Sequence, residues 1–491
     1  MFMHYPRGLK GEVMSDTTIG HVEDYVFNPR SVAVIGASSD SQKEMSGGWV
    51  GRLIQFGYKG TIYPINPNAE NILGLKAYPS IGSVAGSIDY AIVAVPARAV
   101  PPVVEESIKK GVKVIHVYTA GFSETGREAG GRLQAKLEEL IHASTSRLIG
   151  PNCMGVYCPK SGLTFDPRFS QEHGSIGFLS QTGVGGRRLI YLANQRGLRF
   201  SKAISYGNAV DLDGPDFLEY FVADTDTNFI LIYVEGVRRG RAFFQALRQC
   251  TKTKPVVMLK GGLSESGAGA AVSHTASLAG SQQVWQTLFK QTGIIHVESL
   301  EEAVEQMVAL VNLPPVRGRR VGLVGRGGGI GVLATDMCEA QGLSVPQFSA
   351  ETREKLSEIT PAEAGSSVRN PVEIGLGKRG LSEHYTEGLN IVASDPQIDV
   401  VITFLNPADY LHYGIGDWFD QVSRELIEVG KTLPKPFVVT FLQGRDPTIF
   451  ESIIQIQDRC QEAGIACFSG LDVAIKAVGK LIPYYKFRHT T

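Results

Sequence analysis

The sequence predicts an α/β protein made of three consecutive units, each with a parallel sheet covered by helices. Short apolar runs alternate with segments of helical length along most of the chain. The runs are apolar at nearly every position, which is typical of strands buried on both faces of a parallel sheet. With 491 residues, 43% of them hydrophobic and 20% charged, the chain has the size and composition of about three globular domains.

The first unit is expected over residues 26–158, after an N-terminal extension, residues 1–25, that contains no clear helix or strand period. Five β-branched apolar runs predict its strands, at Ser31–Ile35, Thr61–Ile65, Tyr90–Val95, Lys113–Tyr118 and Arg147–Gly150. The segments between them are of helical length, as crossovers between parallel strands require. Ligands of such a sheet bind in the loops that follow the strands.

Two breaks separate the later units, which are expected over 173–313 and 316–488. One is the Pro- and Gly-bearing stretch Pro159–Gly174, and the other is Leu313-Pro314-Pro315. The elements predicted for the second unit are strands at Ser175–Ser180, Lys202–Ser205, Phe229–Val234 and Pro255–Lys260 and helices near Gly186–Gln195 and Ser281–Gln291. Those predicted for the third are strands at Arg320–Val324, Asp399–Leu405 and Pro436–Phe441 and a closing helix near Leu471–Lys480.

The charge pattern disfavours a nucleic-acid or membrane partner. Lys and Arg together number 48 and Asp and Glu 49, so no general positive field attracts polyanions. No apolar run reaches the ~20 residues of a membrane span, and the charged start has no signal-peptide core, which predicts a cytoplasmic protein. The six Cys residues lie at irregular spacing without CxxC pairs, so neither a disulfide framework nor a metal site is expected.

The first candidate site follows the first predicted strand, at Gly36-Ala37-Ser38-Ser39. Small residues between a strand and a helix let backbone N–H groups face a phosphate. NAD is disfavoured, because the GxGxxG spacing is absent and the second strand is followed by Asn66 rather than by an acid. A turn without a ligand remains the alternative. The residues expected to bind a nucleotide-type ligand are Gly36, Ala37, Ser38, Ser39, Asn66, Pro96, Ala120 and Gly121.

A second segment, Gly150–Gly155, follows the fifth predicted strand and contains Asn152 and Cys153. A cysteine in such a loop suggests a nucleophile, but the sequence shows no His or Asn partner for it. Cysteine is also commonly a small buried residue. We therefore expect Asn152 and Cys153 to shape a substrate crevice.

The third segment places His274 among Gly, Ala and Ser residues, between a predicted strand and a helix. Small neighbours leave the imidazole open to two partners, as a phosphohistidine requires, although spacing alone does not decide this role. Glu235 ends a buried strand and could orient such an imidazole; a solvated loop carboxylate is the alternative. Ser180-Gln181-Thr182-Gly183, between a strand and a helix, predicts a phosphate cradle.

No GxxxxGK(S/T) element occurs in the chain, so a P-loop nucleotide site is excluded. A further glycine run, Gly325–Gly329, lacks the dinucleotide spacing. We assign it only to a turn that could approach an anion.

Six motifs together carry a resemblance to a known family; they are Asn28–Ser38, Gly57–Gly60, Ala77–Ser80, Gly150–Cys153, Ser180–Gly183 and Ser273–Thr275. Across about residues 26–485, the chain resembles the α subunit of ADP-forming acyl-CoA synthetases of the acetate–CoA ligase type, relatives of succinyl-CoA synthetase. The resemblance implies a Rossmann-like CoA-binding domain followed by two flavodoxin-like, succinyl-CoA-ligase-like domains. It also implies that His274 is the phosphohistidine and that Glu235 steadies it.

The implied reaction converts acyl-CoA, ADP and phosphate reversibly to a carboxylic acid, CoA and ATP through an acyl phosphate. Coenzyme A is then a substrate, and ADP or ATP with Mg²⁺ binds through a partner. The resemblance implies an ATP-grasp β subunit as that partner, in an α₂β₂ assembly. A CoA-dependent lyase or transferase on the same scaffold, or a non-catalytic acyl-CoA-binding protein, is the alternative.

Two segments depart from the family pattern. Asn66-Pro67-Asn68 stands where many relatives have a lysine after the proline that can meet CoA phosphates. Ser205–Asp211 differs from the Leu-Gly-Asn-Lys-Ala-Asp of the acetate enzymes, which leaves the identity of the acid open.

Overall fold

The computed structural model describes residues 24–38, 48–269, 280–360, 367–375, 381–408, 415–442 and 446–490. These residues form three parallel sheets in succession along the chain, covered by helices, and the predicted α/β class is confirmed. The strands read from the sequence are found with ends shifted by at most two residues.

The first domain contains the first sheet and a small hairpin. Its elements are β1 (Ser31–Ile35), α1 (Gly48–Phe56), β2 (Thr61–Ile65), β3 (Asn71–Ile72), β4 (Leu75–Lys76), β5 (Tyr90–Val93), α2 (Val100–Lys109), β6 (Val114–Val117), α3 (Glu128–His142) and β7 (Arg147–Ile149). The sheet order is β2-β1-β5-β6-β7, with all neighbours parallel. The three central strands, β1, β5 and β6, are buried on both faces, as their unbroken apolar runs require.

The second domain is built on a sheet of order β13-β12-β11-β9-β10-β8. Its elements are β8 (Gly155–Tyr157), β9 (Ile176–Ser180), α4 (Gly183–Gln195), β10 (Phe200–Ser205), α5 (Gly214–Ala223), β11 (Phe229–Val234), α6 (Gly240–Thr253), β12 (Val256–Lys260), α7 (Gln282–Thr292), β13 (Ile295–Val297) and α8 (Leu300–Asn312). Strand β8 pairs antiparallel with β10, so the chain enters the second sheet before residue 158.

The third domain has the sheet order β15-β14-β16-β17-β18. Its elements are β14 (Val321–Gly325), α9 (Gly328–Ala340), α10 (Ala350–Ile359), β15 (Val372–Glu373), α11 (Glu383–Ser394), β16 (Val400–Leu405), α12 (Ile415–Thr432), β17 (Phe437–Phe441), α13 (Pro447–Glu462), β18 (Ala466–Phe468) and α14 (Leu471–Thr490). Sequence patterns alone did not indicate the short strands β15 and β18.

Leaving out β8 and the hairpin, all three sheets place their strands in the flavodoxin-like order 2-1-3-4-5. The direction of winding reverses between the first and third strands of each domain. Loops that follow these two strands diverge and leave a crevice where ligands of open α/β sheets bind. The predicted fold class, an α/β protein in which two flavodoxin-like domains follow the first domain, is therefore confirmed.

Charged side chains join each domain to the next. Between the first and second domains, Arg147 Nε lies 2.9 Å from Asp211 Oδ2, and the same carboxylate oxygen accepts the Leu148 N–H at 2.7 Å. Between the second and third domains, the guanidinium of Arg196 binds Glu305 and donates to the Cys467 carbonyl at 2.7 Å. These contacts join the neighbouring domains through buried or half-buried ion pairs and hydrogen bonds.

Candidate functional site between the first and second domains

A cavity of about 540 Å³ lies where the strand ends of the first domain face those of the second. The predicted site residues that line it are Pro96, Ala120, Asn152, Cys153, Gln181, Thr182 and Gly183. The other described lining residues are Ala94, Val95, Ala97, Tyr118, Thr119, Met154 and Val184. Residues predicted separately for a nucleotide-type ligand, for a crevice and for a phosphate thus share one cavity.

The second domain contributes the N-terminus of α4 to this cavity. Thr182 is the N-cap residue, yet its side chain accepts no hydrogen bond from the helix. The Ser180 hydroxyl instead donates to the Thr182 carbonyl at 2.7 Å, which holds the turn. The first N–H groups of a helix have no partner within the helix, and the helix dipole adds positive potential. This end of α4 is therefore suited to bind a phosphate.

Gln181 connects this helix start to Glu235. Its side-chain oxygen Oε1 accepts the N–H of Glu235 at 2.7 Å and that of Gly236 at 3.0 Å. Its own N–H donates to the Tyr233 carbonyl at 3.0 Å. The buried amide of Gln181 therefore fixes the loop after β11 against the predicted phosphate cradle.

The Glu235 carboxylate is held by a residue that the sequence analysis missed. Tyr233 donates its hydroxyl to Glu235 Oε1 at 3.0 Å, and Glu235 itself is 6% exposed. Burial raises the pKa of the Tyr233 hydroxyl well above its usual range, and the Glu235 charge adds to the rise, so this hydroxyl stays a donor. The spacing could have revealed it, because residues two apart on a strand lie on the same face.

The loop after β1 is arranged differently from the prediction. The N–H groups of Gly36 and Ala37 donate to the Ile65 carbonyl, at 3.1 and 3.2 Å, so they do not face an open phosphate site. The Asn66 side chain closes the same turn by donating to the Ala37 carbonyl at 2.7 Å. These residues and Ser38 are not among the described lining residues, and Ser39 lies outside the described residues.

Gly36 itself is required by the fold. Its φ is +87°, and a Cβ there would lie 2.5 Å from the Ala94 carbonyl oxygen. The glycine thus lets the end of β1 approach the chain that follows β5.

A polar network joins the two sides of the cavity behind its lining. The Asn208 side chain donates to Glu124 at 2.6 Å and to Gln134 at 3.0 Å, and it accepts from Asn152 at 3.3 Å. The other Glu124 oxygen accepts the N–H of Gly121 at 2.6 Å, so this predicted ligand-binding N–H is used within the protein.

Comparison with known proteins supports an assignment of the chain. A CoA binding domain model matches residues 30–159, and a succinyl-CoA ligase like flavodoxin domain model matches residues 173–310. The ADP-forming acetate–CoA ligase II subunit alpha of Pyrococcus furiosus is 36% identical over 421 residues, which are 86% of this chain and 90% of that protein. The chain belongs to the family of ADP-forming acetate–CoA ligase α subunits. The family resemblance predicted from the sequence is confirmed.

Other members of this ligase family match over most of the chain. The ADP-forming acetate–CoA ligase I of Archaeoglobus fulgidus is 36% identical over 466 residues, which cover 94% of this chain and 63% of that protein. A solved structure of the dinucleotide forming acetyl-coenzyme A synthetase 1 of Ca. Korarchaeum cryptofilum, in complex with phosphate and ADP, superposes with a TM-score of 0.82. It is 30% identical and covers 95% of this chain and 97% of that one.

Within this ligase fold, Cys153 is unsuited to act as a nucleophile. The thiol is buried and lies 3.6 Å from the Val117 carbonyl, and burial raises its pKa, so the thiolate is disfavoured. Asn152 precedes it with a φ of +60°. Both residues line the cavity, as expected for crevice residues.

The segment that departs from the acetate enzymes, Ser205–Asp211, forms part of the domain joint. Asp211 is paired with Arg147, and Arg238 donates to the Ala209 carbonyl at 2.9 Å. None of its residues is among the described residues that line the cavity. The segment also supports the cavity from behind, since Ser205 accepts the N–H of Met154 at 3.1 Å and Asn208 accepts from Asn152 at 3.3 Å.

His274 lies outside the described residues, as do its neighbours from 270 to 279. The described chain continues past the end of β12 to Gly269, with residues 265–269 helical, and resumes at Gly280 before α7. The predicted roles of His274 and Glu235 remain predictions.

Among the described residues, no group of three or more His, Cys, Asp or Glu side chains could hold a metal ion. No helix in the described part of the chain has both the length and the apolar character needed to cross a membrane. All six cysteines are buried and form no disulfide.

Proposed function

We propose that the chain is the α subunit of an ADP-forming acyl-CoA synthetase, which interconverts acyl-CoA, ADP and phosphate with a carboxylic acid, CoA and ATP. The observation that carries the proposal is the shared cavity, where loops of the CoA-binding domain meet the uncapped N-terminus of α4. A thioester held by the first domain and a phosphate held by the second would react in this space.

The phosphate at the start of α4 attacks the thioester carbonyl, CoA leaves as the thiolate, and an acyl phosphate forms. An imidazole nitrogen of His274 then takes the phosphoryl group, and the acid leaves as its carboxylate. ADP finally accepts the phosphoryl group, which restores the histidine and gives ATP. The backbone N–H groups at Gly183 and beyond stabilise the charge that develops on the phosphoryl oxygens.

Glu235 has the burial and the support that a partner of the phosphorylated imidazole needs. Its carboxylate is held by Tyr233 and its backbone by Gln181, so Glu235 loses little conformational entropy when it binds the imidazole. A carboxylate beside the second imidazole nitrogen favours the cationic ring.

The nucleotide and Mg²⁺ are proposed to bind through an ATP-grasp β subunit, in an α₂β₂ assembly in the cytoplasm. The chain has no P-loop, and a Pyrococcus furiosus relative is named as a subunit alpha. The chain also spans only 63% of the Archaeoglobus fulgidus ligase, so a large part of that protein has no counterpart here.

The test is an assay of the purified chain with several acyl-CoA esters, ADP, phosphate and Mg²⁺, with and without a candidate β subunit. We expect ATP only when the partner is present. ATP formed by the chain alone would overturn the two-subunit assignment. CoA-dependent cleavage or transfer without nucleotide would instead support a lyase or transferase.

Binding of CoA is tested separately by calorimetry. The full chain is used because β8, which directly follows the first domain, pairs with β10 of the second sheet and so joins the two domains. CoA should release or absorb heat on binding, and NAD should not. Heat with NAD and none with CoA would contradict the assignment of the first domain.

A further inference from the structure

Lys260 is a buried cation at the end of β12, beside the Glu235 loop. The residue is only 4% exposed. Its ammonium group donates to the Glu235 carbonyl at 2.8 Å and also to the Gly261 carbonyl. Strand pairing places Lys260 opposite Val234, the residue that precedes Glu235. The ammonium thus binds the main chain on both of the neighbouring strand ends.

The buried surroundings of Lys260 raise the free energy of its charged form. The Lys260 ammonium lies 4.9 Å from the centre of the Trp285 ring on α7, a favourable contact that only partly replaces water. Burial lowers the pKa of Lys260 to about 8, although the Glu235 charge acts in the opposite direction. A buried lysine with such a penalty is retained where its hydrogen bonds serve a purpose that an apolar side chain could not.

The Glu235 residue is consequently held at three points. Its N–H is bound by Gln181, its carboxylate by Tyr233 and its carbonyl by Lys260. The start of the next connection is equally close, since a Cβ on Gly261 would lie 2.8 Å from the Tyr233 hydroxyl and 3.4 Å from Glu235 Cγ. The chain that leaves β12 toward His274 therefore begins in contact with Glu235.

We propose that Lys260 is a positioning residue for phosphoryl transfer, which fixes the Glu235 main chain and the start of the connection that carries His274. This inference rests on the proposed function, because it assumes that Glu235 serves a phosphorylated histidine. Lys260 touches no reacting atom in this account; it acts through the two carbonyls.

The test compares Lys260→Met, Glu235→Gln and the double variant in the full chain, with radiolabelled acetyl phosphate as phosphoryl donor. Lys260→Met should slow histidine phosphorylation by about 10-fold or more and leave CoA affinity within about 2-fold. In the Glu235→Gln background, Lys260→Met should add less than about 3-fold, because Lys260 acts by holding the main chain that positions the Glu235 carboxylate. Normal labelling by Lys260→Met, or full additivity, would overturn the role.

The pH dependence supplies a second measurement if Lys260→Met does not fold. The wild-type phosphorylation rate should fall above pH 8, where Lys260 loses its proton, with Glu235 as the described charged group that acts on it. Lys260→Arg keeps its charge and should not show that fall. A fall at the same pH in Lys260→Arg would contradict the inference. If the wild-type chain takes no label at any pH, the proposed function itself fails. If the wild-type chain is labelled and Lys260→Met is labelled equally fast, only the role of Lys260 fails.

Discussion

The second and third domains share one strand order but differ in the side chains at the ends of their central strands. In both sheets the first strand lies between the second and the third. In both, the helix that follows the first strand begins without a side-chain cap, after Thr182 in α4 and after Gly327 in α9. The backbone features that favour anion binding are therefore present twice.

The strand register shows which side chains correspond. Ser180 pairs with Tyr233 in the second sheet, and Gly325 pairs with Phe404 in the third. Val234 pairs with Lys260, and Leu405 with Phe441. The corresponding residues are Gln181 and Arg326, Tyr233 and Phe404, Glu235 and Asn406, and Lys260 and Phe441.

The fold therefore supplies a helix N-terminus in both domains, while the chemistry depends on a few side chains near it. Of the described parts of these two domains, the second places a carboxylate, a tyrosine hydroxyl and an ammonium at the loop after β11, where Tyr233 donates to the Glu235 carboxylate and Lys260 to the Glu235 carbonyl. Phe404 and Phe441 fill the corresponding positions in the third domain with buried apolar rings. Substitutions at corresponding positions of the two domains test this asymmetry.

Glu235→Gln should have the largest effect. The substitution keeps the shape and removes the charge that favours the phosphorylated imidazole, so phosphorylation of the chain should slow by about 100-fold or more. Radiolabel from acetyl phosphate measures the rate. The matched variant Asn406→Ala, at the corresponding position of the third domain, should stay within about 2-fold of wild type. Equal losses of phosphorylation rate in both variants would show that the two domains do not differ in this role.

Tyr233→Phe should have a smaller effect than Glu235→Gln. It gives this position of the second domain the same side chain as Phe404 of the third. The Glu235 carboxylate loses one hydrogen bond of 3.0 Å but keeps its charge. Phosphorylation should slow by about 10-fold, with CoA affinity unchanged by calorimetry. An unchanged rate would show that the hydroxyl does not orient Glu235.

Gly183→Ala and Gly328→Ala compare the two helix starts and should have the smallest effect. A Cβ on Gly183 would lie 2.8 Å from Met154 Cγ, which would push this flexible side chain into the cavity. We expect CoA affinity to fall by about 3-fold. A Cβ on Gly328 would contact Glu373, with Oε1 at 2.7 Å, and this residue is not among the described residues that line the cavity, so the CoA affinity of Gly328→Ala should not change. A larger loss in Gly328→Ala would contradict the placement of the ligand.

The strands and most of the loops that line the cavity could be predicted from the sequence, because short stretches of neighbouring residues indicate them. Unbroken apolar runs predicted the strands, and small residues after them predicted which loops line the cavity, including Ala120, Asn152 and Thr182. Parallel topology alone brings such loops to one edge.

The remaining features depend on contacts between distant parts of the chain. The N–H groups of Gly36 and Ala37 bind Ile65, and Gly121 binds Glu124, so small residues did not imply open donors. Lys260 looks like an ordinary lysine at a strand end until its burial and its two carbonyl partners are known. Pairing of β8 with β10 is likewise a long-range event that no local period indicates.

The proposal that His274 carries the phosphoryl group is tested most directly by locating that group on the chain. The purified chain is incubated with radiolabelled acetyl phosphate, or with ATP and a β subunit, and the labelled peptide is identified beside a His274→Ala control. The account predicts one acid-labile, base-stable phosphoryl group on His274, absent from the control. Label of equal amount in His274→Ala, or label confined to another residue, would contradict it.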